Sequence, residues 1–339
     1  MSIETIYFLI GTIFLITLNF ILRKFNFLIE DENKSLHRKI FATEIKKVQS
    51  GGMFLLVSLA IFTFEQNIYL TISLILMFIL GILSDIDFIS SPKVRFFFQI
   101  FIIIFLIIFT STYVEQTKII LLDYFIQNYI FSFFFTSFCL LILINGCNFI
   151  DGVNNLLIGY FLIISLCIFY ITSENNEITF NETYINFAII SLIILLVFNF
   201  FSIIIMGDSG AYVLGLFFGF TLIHFSNDNL DISPIYILNL LWYPAFENLF
   251  SILRKLKMKI SISKPDNFHL HHLIFKFIDK KFKNNSYINS VTGLLINIFN
   301  LFTLSIATIV SNHSLYLSLI LIFNISSYIL IYFYMLRKN

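Results

Sequence analysis

Five short polar clusters interrupt a chain that is otherwise mainly apolar, and each contains side chains that could do chemistry. They are residues 37–39 (His-Arg-Lys), 84–87 (Ser-Asp-Ile-Asp), 145–155 (four Asn and one Asp), 206–210 (Met-Gly-Asp-Ser-Gly) and 269–272 (His-Leu-His-His). Carboxylates at helix ends suit Mg²⁺, which takes oxygen ligands and commonly joins one or two carboxylates to substrate phosphates. Basic side chains neutralise the charge of a diphosphate. Together these residue types predict phosphoryl transfer.

The cluster at 206–210 stands directly before an apolar segment that is long enough for a helix. The first amides of a helix lack partners within the helix, and the helix dipole favours anions there. We therefore expect the amides beside Gly207 and Gly210 to be free to bind phosphate oxygens.

Each cluster also has a purely structural explanation. Asp85 and Asp87 would cap a helix in a solvated turn, and Asp208 would be an ordinary N-cap. Asn145 and Asn148 would hydrogen-bond between neighbouring helices. The three histidines stand at i, i+2 and i+3, which do not share one helix face, so a zinc site is not expected.

The elements that must position these clusters follow from composition. Of 339 residues, 58% are hydrophobic and only 12% charged, with a mean hydropathy of +0.91. Soluble domains are about 25% charged, so the chain is expected in a membrane, and the same figures exclude disorder. Apolar segments that could cross the bilayer occur at about 5–22, 53–64, 68–83, 96–114, 129–147, 153–172, 184–205, 211–225, 234–252, 289–311 and 315–336.

The basic residues predict how these eleven segments are oriented. Arg23 and Lys24 follow the first segment and no basic residue precedes it, unlike a cleaved signal peptide. With the N-terminus outside, all of the 21 basic residues except Lys118 fall on the cytoplasmic side. We therefore predict an all-α polytopic protein of eleven transmembrane helices with a cytoplasmic C-terminus, and an amphipathic piece at 119–128 along the outer surface.

The same orientation puts all five polar clusters at the cytoplasmic side. We predict a single membrane domain, residues 1–339, whose cytoplasmic loops at about 23–52, 84–95, 148–152, 206–210 and 253–288 form the active-site face. Polar residues at membrane depth are costly without partners, which favours a functional role for clusters that gather on one face.

The motifs resemble, in type and order, those of the polyprenyl-phosphate N-acetylhexosamine-1-phosphate transferases, glycosyltransferase family four. This family includes the undecaprenyl-phosphate GlcNAc-1-phosphate transferases and the phospho-MurNAc-pentapeptide translocase. The resemblance covers about residues 31–275. It is carried by Asn145-x-x-Asn148-Phe-x-Asp151-Gly-x-Asn154, Met206-Gly207-Asp208-Ser209-Gly210 and His269-Leu270-His271-His272, the last nearer the sugar-transferase branch.

The resemblance implies an enzyme of the bacterial cytoplasmic membrane. It would move a sugar 1-phosphate from a UDP-N-acetylhexosamine to undecaprenyl phosphate, releasing UMP, with Mg²⁺ or Mn²⁺ as cofactor and a homodimer as its assembly. Asp85, Asp151 and Asp208 would be catalytic, with Asp208 and Asp151 as metal ligands. The substrate-binding residues would be His37, Lys39, Ser84, Asn145, Asn148, Asn154, Asn199, His269, His271 and His272.

Several residues depart from the family pattern. Ser84 stands where the family has the first of two paired aspartates, unless Asp87 substitutes for it, and Asn154 and Glu247 stand where many members have Asp. The departures leave an inactive relative open as one alternative, and a polytopic transporter or flippase is a second. Transport sites usually lie near the bilayer midplane between internal repeats, whereas this chain has no evident repeat and its polar clusters lie at segment ends.

Overall fold

The computed structural model describes residues 2–29, 47–174, 182–261, 266–282 and 287–338, and within these ranges it is helical with no strand. The helices are α1 (Ile3–Lys24), α2 (Gly51–Gln66), α3 (Ile68–Asp85), α4 (Pro92–Thr110), α5 (Ile120–Ile126), α6 (Tyr129–Ile150), α7 (Leu156–Glu174), α8 (Glu182–Phe200), α9 (Gly207–Asp228), α10 (Pro234–Leu240), α11 (Trp242–Lys257), α12 (Leu270–Lys281), α13 (Ile288–Ile309) and α14 (Ser314–Lys338). The predicted His37 and Lys39 lie outside the described residues.

The all-α membrane architecture is confirmed. Among the described residues, eight helices are long and apolar enough to cross a membrane, namely α1, α3, α4, α6, α7, α9, α13 and α14. Two shorter apolar helices are α2 and the part of α8 at Ile185–Phe200. The number of eleven spans and their orientation stay predictions.

The predicted segment 234–252 is not one continuous helix. It divides at Leu241 into α10 and α11. Pro244 has no amide hydrogen to donate to the carbonyl four residues earlier, that of Leu240, and its ring crowds that carbonyl. The hydroxyl of Tyr160 fills the gap, since it donates to the Leu240 carbonyl (2.9 Å) and accepts from the Tyr243 amide (3.3 Å). The break thus keeps its backbone groups hydrogen-bonded inside an apolar environment.

Helix α9 is the centre of the bundle and is almost wholly buried, whereas α1 and α14 leave most of their apolar side chains exposed. Two glycines allow α2 and α3 to approach its first turn. A Cβ at Gly81 would lie 2.2 Å from the Cα of Ser209, and one at Gly52 would lie 2.6 Å from the amide nitrogen of Gly210. Small residues permit such close helix packing in membranes. The approach brings the end of α3 against the start of α9.

Candidate active site

The carboxylate of Asp208 is the centre of a cluster that joins α3, α4 and α9. Its Oδ2 accepts hydrogen bonds from Ser84 Oγ (2.5 Å) and Arg95 Nη1 (2.5 Å), with Tyr212 Oη at 3.5 Å. Arg95 and Asp208 are partly exposed, at 21% and 22% of their side-chain surface. Oδ1 accepts no hydrogen bond within the described part of the chain. Asp208 therefore has one oxygen fixed by the protein and one available to a ligand.

Asp85 holds the start of α9 in place. Its Oδ1 accepts from the backbone amide of Asp208 (2.9 Å) and its Oδ2 from that of Ser209 (3.2 Å), so a side chain from α3 caps α9. Gly207 enters the helix with φ +69°, in the left-handed region, and a Cβ there would lie 2.7 Å from Asp85 Oδ2. A residue with a side chain would be strained and would displace the cap.

The expectation that these amides are free for phosphate oxygens is wrong. The amides of Asp208 and Ser209 are taken by Asp85, and that of Gly210 donates to the Met206 carbonyl (3.3 Å). The sequence indicated an anion-binding helix N-terminus, and in the structure the carboxyl group of Asp85 occupies that place. A phosphate group that entered this cluster would instead contact the exposed parts of Arg95 and Asp208.

Ser84 occupies the place of the missing carboxylate with a hydroxyl. It lies at the end of α3, is buried, and donates to Asp208 while it accepts from Arg95 Nη1. Asp87 lies in the turn that follows, exposed and with φ 61°. The serine thus keeps a contact with Asp208 but adds no charge to the cluster.

The asparagine motif ends α6 beside this cluster. Asn145 Nδ2 donates to Gln99 Oε1 (2.9 Å) on α4, one turn after Arg95, and to the Leu141 carbonyl (2.9 Å). Asn148 is half-buried on the next turn of the helix, and Asp151 is the half-buried residue that closes it. Gln99 therefore connects the two motifs through α4.

Asn154 and Asn199 lie deeper than a surface site requires. Asn154 is buried, and its Nδ2 donates to Ser202 Oγ (2.7 Å) and Ser290 Oγ (3.3 Å). Asn199 Oδ1 accepts from the Asn155 amide (2.6 Å), and its Nδ2 donates to the Ile204 carbonyl (2.8 Å). These bonds hold the loops after α6 and α8. Substrate binding by either residue stays a prediction, and the geometry gives both a positioning role.

His269 stands before α12 and is fixed by a buried carboxylate. Its Nδ1 lies 2.8 Å from Glu247 Oε1, and the other oxygen of Glu247 accepts from Tyr328 Oη (2.7 Å). The ring also lies 5.2 Å, centroid to centroid, from that of Phe149 in the asparagine motif. The histidine motif and the asparagine motif are therefore neighbours, as predicted for one site.

His271 and His272 pack against the loop that follows Asp151. A Cβ added to Gly152 would lie 2.3 Å from His271 Nε2 and 2.8 Å from His272 Nε2. His271 is fully buried, and neither of its ring nitrogens has a hydrogen-bond partner among the described residues. Burial, followed by the neighbouring rings of His272 and His269, holds the pKa of His271 well below its usual value.

The segment before the histidines is anchored by residues that the sequence did not single out as site residues. Arg254 Nη2 donates to both oxygens of Asp266 (2.8 and 2.9 Å), Lys255 Nζ lies 3.5 Å from Asp266, and Arg254 also donates to the carbonyl of Phe268. Burial would raise the pKa of Asp266, but His269, the Phe268 amide and the two basic side chains outweigh it and lower that pKa.

Arg95, Glu247 and Arg254 were not predicted as site residues. Arg95 and Arg254 belong to basic stretches that serve equally well as topological anchors, and Glu247 was noted only as a departure from the family pattern. Each of them lies near the end of a predicted apolar segment, on the side where the motifs also lie. That position was the feature of the sequence that could have identified them. Along the chain, Arg95 is 113 residues from Asp208, Glu247 is 22 residues from His269, and Arg254 is 12 residues from Asp266.

The residues present fit Mg²⁺ only if the substrate completes its coordination. No group of three or more His, Cys, Asp or Glu side chains that could hold a metal occurs in the described ranges. Asp208 Oδ1 is a hard oxygen donor that has no hydrogen-bond partner among the described residues, and Mg²⁺ typically takes one or two carboxylates plus waters and phosphates. The arrangement suits an ion that arrives with a phosphate-bearing substrate.

Comparison with known proteins finds a family that resembles the middle of the chain. The model of the family described as glycosyl transferase family 4 matches residues 67–226. This segment contains Ser84 and Asp85 at the end of α3, Arg95, the asparagine motif and Asp208. Over this segment the chain is similar to glycosyl transferase family 4, in agreement with the resemblance drawn from the motifs.

Individual relatives point to a narrower group. A probable undecaprenyl-phosphate N-acetylglucosaminyl 1-phosphate transferase of Bacillus subtilis (strain 168) is 24% identical over 258 residues, which cover 73% of this chain and 69% of the relative. The undecaprenyl-phosphate alpha-N-acetylglucosaminyl 1-phosphate transferase of Escherichia coli (strain K12) is 26% identical over 62% of this chain and 59% of its own length. That of Thermotoga maritima is 28% identical over 41% of each chain. These similarities favour a transferase over a transporter.

Proposed function

We propose that this membrane protein transfers a sugar 1-phosphate from a UDP-N-acetylhexosamine to undecaprenyl phosphate, giving a lipid-diphospho-sugar and UMP. An oxygen of the lipid phosphate attacks the phosphorus that bears the sugar, the P–O bond to the UMP moiety breaks, and UMP leaves. The observation that carries the proposal is the ion pair of Asp208 and Arg95 at the junction of α3, α4 and α9. Both side chains are partly exposed, and the pair lies within the segment that matches the family.

The proposed transfer needs little help from a general base. A phosphate monoester has a second pKa near ~6, so the lipid phosphate is mostly dianionic at neutral pH. This agrees with a site where Ser84 replaces one carboxylate and Asp85 is occupied by amides. Positioning and charge neutralisation supply most of the catalysis in phosphoryl transfer. Arg95 would stabilise the negative charge of the transferred group, and the histidines would contact the substrate beside Asp151.

Asp208 Oδ1, with Asp151, would bind Mg²⁺ carried by the diphosphate, and the ion would neutralise charge on the leaving group. The active-site face would be cytoplasmic, because the loops that contain these residues also contain nearly all of the basic residues. A bacterial cytoplasmic membrane supplies both undecaprenyl phosphate and access to UDP-sugars on that face.

The test is UMP release by the purified protein in detergent, given undecaprenyl phosphate, MgCl₂ and a panel of UDP-sugars. We expect UMP and a lipid-linked sugar in stoichiometric amounts, with no UMP when either the lipid phosphate or the divalent ion is omitted. UMP formation that does not need the lipid would overturn the proposal. So would the absence of product with every UDP-sugar, which is the result that an inactive relative or a transporter would give.

A further inference from the structure

Glu247 is a buried carboxylate that the proposed chemistry does not use. It lies on α11 with no exposed surface, and its two oxygens bind His269 Nδ1 (2.8 Å) and Tyr328 Oη (2.7 Å). Taking a carboxylate out of water is costly unless it is hydrogen-bonded and paired. The burial of this carboxylate therefore indicates a role other than packing.

Anchoring the backbone of the histidine segment is not that reason. Arg254 already donates two hydrogen bonds to Asp266 and one to the carbonyl of Phe268, directly before His269. Lys255 adds a second cation beside Asp266. The bond from Glu247 reaches the imidazole itself, so what it fixes is the orientation and the proton of the ring.

The ring of His269 is held on several sides. It lies 5.2 Å from the ring of Phe149 and, nearly parallel, 5.5 Å from that of His271, with the ring of His272 at 5.6 Å and almost perpendicular. Its Nε2 is directed toward Asp266, whose Oδ1 is 3.8 Å away. The half-buried Asp266 lies on the open side of this segment, whereas Glu247 lies on the buried side.

A carboxylate at Nδ1 decides which ring nitrogen carries the hydrogen of a neutral imidazole. An ionised Glu247 can only accept, so Nδ1 must donate, and Nε2 is left as the nitrogen that can take up or donate a further proton. The hydroxyl of Tyr328 donates to the other oxygen of Glu247, so both carboxylate oxygens are hydrogen-bonded. A hydrogen bond at one ring nitrogen commonly sets the role of the other in this way.

We propose that Glu247 is a positioning residue for the proposed transfer: it holds the Nδ1 hydrogen of His269, so that Nε2, on the Asp266 side of the ring, is the nitrogen that exchanges a hydrogen with the substrate. The inference rests on the proposed function, because that function supplies the substrate that Nε2 would contact. The placement of the hydrogen follows from the 2.8 Å contact and an ionised Glu247, and it can be tested without turnover.

The first measurement is solid-state ¹⁵N NMR of wild-type protein labelled at histidine, with the His269 signals assigned by their loss in His269→Asn. We expect Nδ1 of His269 to carry a hydrogen and its signal to move in Glu247→Gln, because an amide can donate to Nδ1 instead of accepting from it. A neutral His269 with its hydrogen only on Nε2 would overturn the proposal, whatever the activity and even if Glu247→Gln does not fold.

The second measurement compares kcat and KM of Glu247→Gln, Glu247→Asp and Tyr328→Phe in the UMP assay. We expect Glu247→Gln to lower kcat about 10- to 100-fold, since a positioned proton donor or acceptor contributes about 10²–10⁴-fold in all, with KM for the UDP-sugar changed less. Glu247→Asp should recover part of kcat because it restores an acceptor. Tyr328→Phe is the matched control, which removes the other hydrogen bond of Glu247 and leaves its bond to His269.

A kcat of Glu247→Gln within about twofold of wild type would overturn the inference while leaving the proposed function intact. Equal losses in Glu247→Gln and Tyr328→Phe would also overturn it, because they would show that Glu247 only joins α11 to α14. A wild-type protein without UMP release would instead refute the proposed function, and the NMR result would still decide the placement of the hydrogen.

Discussion

The side chain of Asp85 accepts hydrogen bonds from the backbone amides of Asp208 and Ser209, so the last residue of α3 caps the first turn of α9. Asp208, which that turn carries, is in turn bound by Ser84 and Arg95. The sequence predicts the same catalytic role for both aspartates, but their contacts differ. Asp85 binds backbone amides with both of its oxygens, whereas Asp208 has one oxygen that is available to a ligand.

Asp208→Asn should reduce formation of lipid-linked sugar at least ~100-fold, because it removes the carboxylate oxygen that is available to a metal and the partner of Arg95. The assay is UMP release at saturating substrates. Asp228→Asn, at the far end of the same helix, is the matched control and should stay within about twofold of wild type. Full activity of Asp208→Asn would remove Asp208 from the active site.

Asp85→Asn should retain more stability and activity than Asp85→Ala, since an amide oxygen can still accept from one helix amide. Loss of a helix cap costs about 0.5–2 kcal/mol, so Asp85→Ala should melt at a lower temperature in detergent and lose activity through displacement of Asp208. If Asp85 were a proton-accepting base, both variants would be equally inactive while the melting temperature of Asp85→Asn stayed near that of wild type.

Ser84→Asp should make the protein depend more on divalent cations for stability. A third carboxylate would stand beside Asp208 and Asp85, and Arg95 would offset only part of the repulsion. We expect a lower melting temperature than wild type without added metal and a larger rise on addition of MgCl₂, because a ligand that binds only the folded state stabilises it. Ser84→Ala is the control, and an equal response to MgCl₂ in both variants would argue against a metal at this cluster.

Stability should fall as the pH is lowered from about 7 to 5.5, in part because of His271. Its folded-state pKa lies well below the value of about 6.5 expected for an unfolded histidine, through burial and the neighbouring His272 and His269. Between those two values the unfolded state binds the extra proton, so stability that is present above pH ~6.5 is lost on acidification.

His271→Asn removes that proton site and should flatten the dependence of melting temperature on pH over this window. Asp266, whose pKa is lowered, acts at more acidic pH, because the stability it contributes is lost only as the pH falls below that of an unfolded aspartate, about 3.9. His313→Asn, outside the site, is the control. An unchanged slope in His271→Asn would show that His271 is not held neutral in the folded protein.

Much of the fold could be predicted from local sequence. The apolar segments predict the helices because each needs only its own residues to satisfy backbone hydrogen bonds in lipid. The break at Leu241 could not be placed in this way, although Pro244 indicates it, because the hydroxyl that fills the gap comes from Tyr160 on another helix. Hydropathy describes a segment and not its neighbours.

The sequence by itself determined that this is an all-α membrane protein, and it predicted that Asp208, the asparagine motif and the histidines belong to one site. Only the tertiary structure decided which atoms of that site are occupied. Ser84 is hydrogen-bonded to Asp208, 124 residues away along the chain. Asp85 accepts hydrogen bonds from helix amides that the sequence predicted to be free. Such pairs depend on the packing of α3 against α9, which Gly81 permits, and no property of either segment alone specifies them.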